Sequence, residues 1–78
     1  MTAVTLFHAR DCVLCEDARA QLERVRADVP FELEEVDITG VPELEAAYRE
    51  WLPVVEIDGE RAFVYRIDED ELLSRLRT

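Results

Sequence analysis

Cys12 and Cys15 are the only thiols in the chain, and they enclose Val13 and Leu14 in a C-x-x-C arrangement. Thiols at that spacing can close a small disulfide or grip a metal ion. If the segment opens a helix, positions i and i+3 share a face. The first thiol then stands at the positive end of the helix dipole, which lowers its pKa and supplies thiolate. The pair so placed suits reversible redox exchange, in which Cys12 attacks a disulfide sulfur and Cys15 resolves the mixed disulfide. Arg10 and the dipole favour the Cys12 thiolate, while Asp11 opposes it by like-charge repulsion.

Two other chemistries compete for the same residues. A structural zinc site takes four ligands. This chain offers Cys12, Cys15 and at best His8, with no second C-x-x-C and no H-x-x-x-H. A zinc or iron–sulfur centre would therefore have to be shared across a dimer. The remaining alternative is a non-enzymatic module that captures a protein partner. His8 reads either as an aid to proton transfer near Cys12 or as a solvated loop residue. The acidic clusters Glu32, Glu34, Glu35 and Glu43, Glu45 come with no second feature and read as solvated surface.

The elements that must position the cysteines follow from periodicity. Ala3 to Phe7 is apolar on both alternation phases, as in a central strand covered on both faces. His8 to Asp11 is a short polar connection, with Asp11 the expected N-cap. From Cys12 to Val25, the positions Cys15, Ala18, Leu22 and Val25 recur at helical spacing, so Cys15 lies on the buried stripe and Cys12 at the water-facing start. After Pro30, Phe31 to Glu34 alternates apolar with acidic, and Val36 and Ile38 then change phase. This predicts a second strand toward an edge, with an irregularity near Glu35. It ends by Thr39-Gly40, and the strand–helix–strand order implies a right-handed crossover between parallel strands.

Pro42 opens a second helix in which Leu44, Ala47, Tyr48 and Trp51 follow the i, i+3, i+4, i+7 template, which assigns both rings to the core. Leu52-Pro53 stops it, and Pro53 alone reads as the residue separating helix from strand. Val54 to Ile57, Asp58-Gly59 and Glu60 to Tyr65 form a hairpin with a type I′ turn. Asp68 caps the last helix in a capping-box arrangement with Glu71, and Leu72, Leu73 and Leu76 form its apolar face.

The 78 residues suffice for one domain, residues 1–78, and no second core. Nineteen acidic groups face nine arginines and no lysine, a net charge of −10 that repels phosphate backbones and anionic headgroups. Nucleic acid and membrane surfaces are thereby set aside as general partners. No signal-peptide pattern and no membrane-spanning run is present in the sequence, so a cytoplasmic location is expected. In a reducing compartment the cysteine pair is catalytic or metal-binding rather than a permanent bridge.

A strand, a C-x-x-C opening a helix, a proline before an antiparallel hairpin and a closing helix together resemble the thioredoxin superfamily in its smallest form, the glutaredoxin-like domain. Asp37-Ile38, Pro42-Glu43-Leu44, Tyr48 and Leu52-Pro53-Val54-Val55 are similar to a group of short bacterial glutaredoxin-like proteins, and the resemblance spans nearly the whole chain. It implies an α/β, thioredoxin-like β-α-β-α-β-β-α fold, a four-stranded mixed sheet flanked by three helices. It also implies thiol–disulfide oxidoreductase activity, with no tightly bound cofactor. By the same resemblance Pro53 is cis and packs beside the disulfide, Leu52 offers its backbone to a bound substrate, and Arg10 stands in for the family's basic residue. The implied substrates are a protein disulfide or a glutathione mixed disulfide, with glutathione or a reductase as electron donor. The chain departs from the family pattern in two places. Val13 and Leu14 replace Pro and an aromatic residue. Tyr65-Arg66-Ile67 replaces the Gly-Gly turn that helps hold the γ-glutamyl group, and Glu69 and Asp70 follow. A glutathione carboxylate would meet negative charge there, offset by Arg66 and helix N–H groups.

Overall fold

In the computed structural model, which describes residues 2–77, the elements run β1 (Ala3–His8), α1 (Val13–Asp28), β2 (Glu32–Asp37), α2 (Pro42–Tyr48), β3 (Val54–Ile57), β4 (Glu60–Val64) and α3 (Glu69–Leu76). The strands form one mixed sheet in the order β2-β1-β3-β4, with β1 parallel to β2 and the other neighbours antiparallel. This is the thioredoxin-like arrangement.

Strand β1 is apolar on both phases because both of its faces are covered. Val4 and Leu6 pack with Ala18, Leu22 and Val25 of α1 and Leu72 of α3, while Phe7 packs on the opposite face with Ile38, Val54 and the half-buried Tyr48. Leu22 and Leu72 are wholly enclosed, and burial of each such side chain contributes about 1.5–3 kcal/mol. The Phe7 and Tyr48 rings stack at 4.1 Å and 14°.

The phase change in β2 has the same origin. Leu33 turns to the α1/α3 side and Val36 to the α2 side, and β2 pairs with β1 in unbroken register through Glu35. The irregularity expected at Glu35 is therefore absent. A bulge lies instead in the hairpin, where Val55 and Glu56 oppose Phe63 and Arg61 and leave Ala62 as the extra residue. The hairpin turn is as expected, with Asp58 at φ 52° and Gly59 at φ 86°, the double positive φ of a type I′ turn. Asp58 also ties the turn to β1, accepting the Ala3 N–H through Oδ1 at 3.0 Å.

The second helix is shorter than its periodicity suggests. Regular α structure ends at Tyr48, and Arg49–Trp51 continues as a 3₁₀ turn. Tightening from about 3.6 to 3.0 residues per turn rotates Trp51 away from the stripe that Leu44 and Tyr48 follow. Trp51 is 42% exposed rather than a core ring, and Ala47 is exposed too. Asp68 caps α3 as expected, accepting the Glu71 N–H, while the Glu71 carboxylate pairs with Arg75.

Candidate redox site

The cysteine segment is held at the junction of β1 and α1. Cys12 is the N-cap of α1, and its Sγ accepts the Cys15 N–H at 3.2 Å. Asp11, the expected cap, cannot serve: it has left-handed backbone at φ 61°, whereas the cap position takes the extended conformation that Cys12 has. Cys12 and Cys15 are joined in a disulfide with Cα atoms 5.2 Å apart. The two cysteines occupy different surroundings, since Cys15 is 3% exposed and Cys12 only half-buried. Val13 and Leu14 between them face water.

The chain between α2 and β3 forms the wall opposite. The Leu52–Pro53 bond is cis, Leu52 is extended at φ −62° and ψ 144°, and Pro53 is fully buried. Tyr65 clamps this segment from the position just after β4. Its N–H is shared between the carbonyls of Pro53 at 3.0 Å and Trp51 at 3.4 Å. Its hydroxyl donates to the Glu50 carbonyl at 2.9 Å. Tyr65 does this from left-handed backbone at φ 67°.

Three of the expected site residues thus converge. Arg10, Cys12 and Leu52 line one cleft of about 260 Å³, which Arg49 also borders, while Pro53, next in the chain after Leu52, is buried and does not line it. A groove of about 270 Å³ runs from Leu14, Asp17 and Gln21 on α1 to Tyr65, Arg66 and Ile67. The negative charge expected beyond it is partly spoken for: Glu69 takes hydrogen bonds from Arg24 at 2.9 Å and Gln21 at 3.2 Å. His8 borders a third opening with Cys12, Arg10 and Asp37.

The loop carrying Cys12 is latched to the loop after β2. The Arg10 N–H donates to Thr39 Oγ1 at 2.9 Å, and the Thr39 N–H donates to Asp37 Oδ1 at 2.9 Å. The backbone and hydroxyl bonds from Thr39 hold the Asp37 carboxyl below the usual aspartate range, with a smaller contribution from His8 and Arg10. Sequence reasoning did not single out Thr39, Arg49 or the clamping role of Tyr65, and it assigned Trp51 to the core. Only the Asp-x-Thr spacing of Asp37 and Thr39, a turn-forming pattern, carried a signal. Among the described residues, no group of three or more His, Cys, Asp and Glu side chains is gathered as a metal site, and no helix is long and apolar enough to cross a membrane.

A family model described as the glutaredoxin-like domain (DUF836) matches residues 3–77. An uncharacterized protein of Mycobacterium tuberculosis is 30% identical over 74 residues, covering 88% of this chain and 76% of that protein. A protein from Nitrosomonas europaea, solved in solution by NMR, superposes with a TM-score of 0.80 at 25% identity, over 95% of this chain and 89% of that one. The glutaredoxin-like protein NrdH-redoxin from Escherichia coli, described by its thioredoxin-like activity profile, superposes with a TM-score of 0.60 at 27% identity, over 91% of this chain and 93% of its own.

Proposed function

The chain belongs to the glutaredoxin-like domain family, and from that premise we propose that it is a dithiol thiol–disulfide oxidoreductase. The observation that carries this reading is the Cys12–Cys15 disulfide at the start of α1, with Cys12 half-buried at the mouth of a cleft and Cys15 enclosed. Cys12 is the nucleophile. In the reduced protein the Cys15 N–H and the helix N-terminus stabilise its thiolate. The Cys12 thiolate attacks one sulfur of a substrate disulfide, forming the mixed disulfide and expelling the other sulfur as a thiolate that takes a proton from water. Cys15 loses its proton to solvent and attacks Cys12 Sγ, so the intrachain disulfide forms and the second substrate thiol leaves. Two electrons pass from the dithiol to the substrate.

Arg10 and Leu52 line the cleft where the substrate binds, next to the buried Pro53, with the Leu52 backbone as an extended edge for pairing. No tightly bound cofactor is needed. Glutathione or a reductase returns the disulfide to the dithiol in the cytoplasm. The test is reduction of a disulfide substrate by the wild type and two variants. Cys12→Ser abolishes turnover, and Cys15→Ser accumulates a mixed disulfide that is visible by intact mass. Full activity in both variants would sink the proposal. Running the assay with glutathione and, separately, with thioredoxin reductase identifies the electron donor.

A further inference from the structure

All the large apolar side chains that stand exposed among the described residues lie at the disulfide end: Val13 at 70%, Leu14 and Tyr65 at 45%, and Trp51 at 42%. Single exposed apolar residues scattered over a surface need no explanation. These four are not scattered. Leu14 and Tyr65 line one groove, and the Tyr65 and Trp51 rings lie 6.1 Å apart. Trp51 runs into Leu52, which shares its cleft with Cys12, and Val13 follows Cys12. The four therefore fall on the chain segments that border the disulfide. None of the four belongs to either core cluster, so the fold does not require their apolar character.

Exposed charge beside this apolar band leans acidic. Asp11, Glu16, Asp17 and Glu50 are open to solvent, against Arg10 and Arg66, which border the two clefts, and Arg49, which is held by Glu45 at 3.1 Å. The chain as a whole carries −10. A small anionic disulfide would leave the apolar band wet and meet this field unfavourably, whereas a polypeptide with apolar side chains beside its cysteine would cover it.

We infer that the band of Val13, Leu14, Trp51 and Tyr65 is a docking surface for an extended, basic segment of a partner protein that presents its disulfide between apolar residues. This names the substrate class of the proposed oxidoreductase and rests on that reading. The chemistry is the exchange already written, with the partner's disulfide reduced to two thiols and the Cys12–Cys15 dithiol oxidised.

The test is a single turnover, so no electron donor enters. Protein reduced with dithiothreitol and desalted is mixed with single-cysteine peptides carried as mixed disulfides with thionitrobenzoate, whose release is followed by its absorbance. One peptide has apolar and arginine flanks, one has apolar and glutamate flanks, and the third probe is glutathione in the same mixed disulfide. The wild type reacts with the apolar–arginine peptide about tenfold faster than with either other probe, a difference worth about 1.4 kcal/mol. The double variant Val13→Ser with Trp51→Ser brings that ratio to about threefold or less, since truncated contact aromatics commonly cost on this scale. Equal rates for the three probes, a faster reaction of the glutathione probe, or an unchanged ratio in the variant overturns the docking surface and leaves the redox chemistry standing. Absence of thionitrobenzoate release from every probe overturns both.

Discussion

At the scale of single residues, the site depends on side chains and backbone conformations that act in different ways. Tyr65 holds left-handed backbone, which costs a non-glycine residue roughly 1–2 kcal/mol. Its N–H and hydroxyl together fasten Glu50, Trp51 and Pro53. Tyr65→Phe keeps the ring and the backbone and removes only the bond to the Glu50 carbonyl. We predict a loss of about 0.5–1.5 kcal/mol, measured by urea unfolding of the oxidised protein. A loss below measurement error would mean that water replaces the hydroxyl at no cost. The unequal burial of Cys12 and Cys15 was legible in the sequence, because helical periodicity fixes which of two residues faces inward, whereas the capping of α1 by Cys12 and not Asp11 was not. Nor was the clamp of Tyr65. Its type reads as strand, and nothing local announces a positive φ at a residue other than Gly, Asn or Asp. Trp51 misled for a related reason, since periodicity assumes a constant number of residues per turn and the chain tightens after Tyr48.

Between elements, two loops hold each other. The β1–α1 loop bearing Cys12 hangs its Arg10 N–H on Thr39, which is itself held by Asp37. Thr39→Val removes the acceptor at nearly constant volume. We predict that the Arg10 amide then exchanges its hydrogen at least tenfold faster, while amides of β1 keep their protection and Thr39→Ser restores the wild-type rate. Unaltered Arg10 exchange would show that the latch carries no load. Asp37 adds a pH dependence whose sign is fixed by direction. Its carboxyl is held below the usual range, so its stabilising effect is present above the pKa of an unfolded aspartate, about 3.9, and fades as pH falls through the lower folded value. Asp37→Asn is therefore less stable than wild type at neutral pH, and the difference closes in the acid range below about 3.9. A gap that persists at low pH would place the effect elsewhere. Element order, the mixed sheet and the hairpin turn were all visible in the sequence, because amphipathic periods and an Asp-Gly turn are local signals. The bulge at Ala62 and the unbroken register at Glu35 were not, since the apolar phase change in β2 reports that two faces are covered at different ends and looks the same as a bulge when read along one strand.

Over the whole molecule, the field of ten excess negative charges acts on any approaching partner. The chain measures 35 × 22 × 17 Å. At 0.01 M ionic strength the Debye length is about 30 Å, comparable to the longest dimension, so an approaching segment experiences nearly the total charge. At 0.15 M it is about 8 Å, and only charges within a turn or two of the disulfide remain in view. The same change weakens self-repulsion within the fold. Raising salt across this range should therefore do two things at once. It should increase the urea midpoint of unfolding, and it should slow the reaction of the reduced protein with the apolar–arginine peptide several-fold while speeding that with the apolar–glutamate peptide. The opposed directions matter, because a general effect of salt on thiolate reactivity would move both peptides the same way. Parallel changes in the two rates would remove electrostatic steering from the account of this acidic surface and leave the −10 charge with a role in solubility alone. Opposed changes that persist in the Val13→Ser, Trp51→Ser variant would separate the two contributions, assigning approach to the global charge and capture to the apolar band around Cys12.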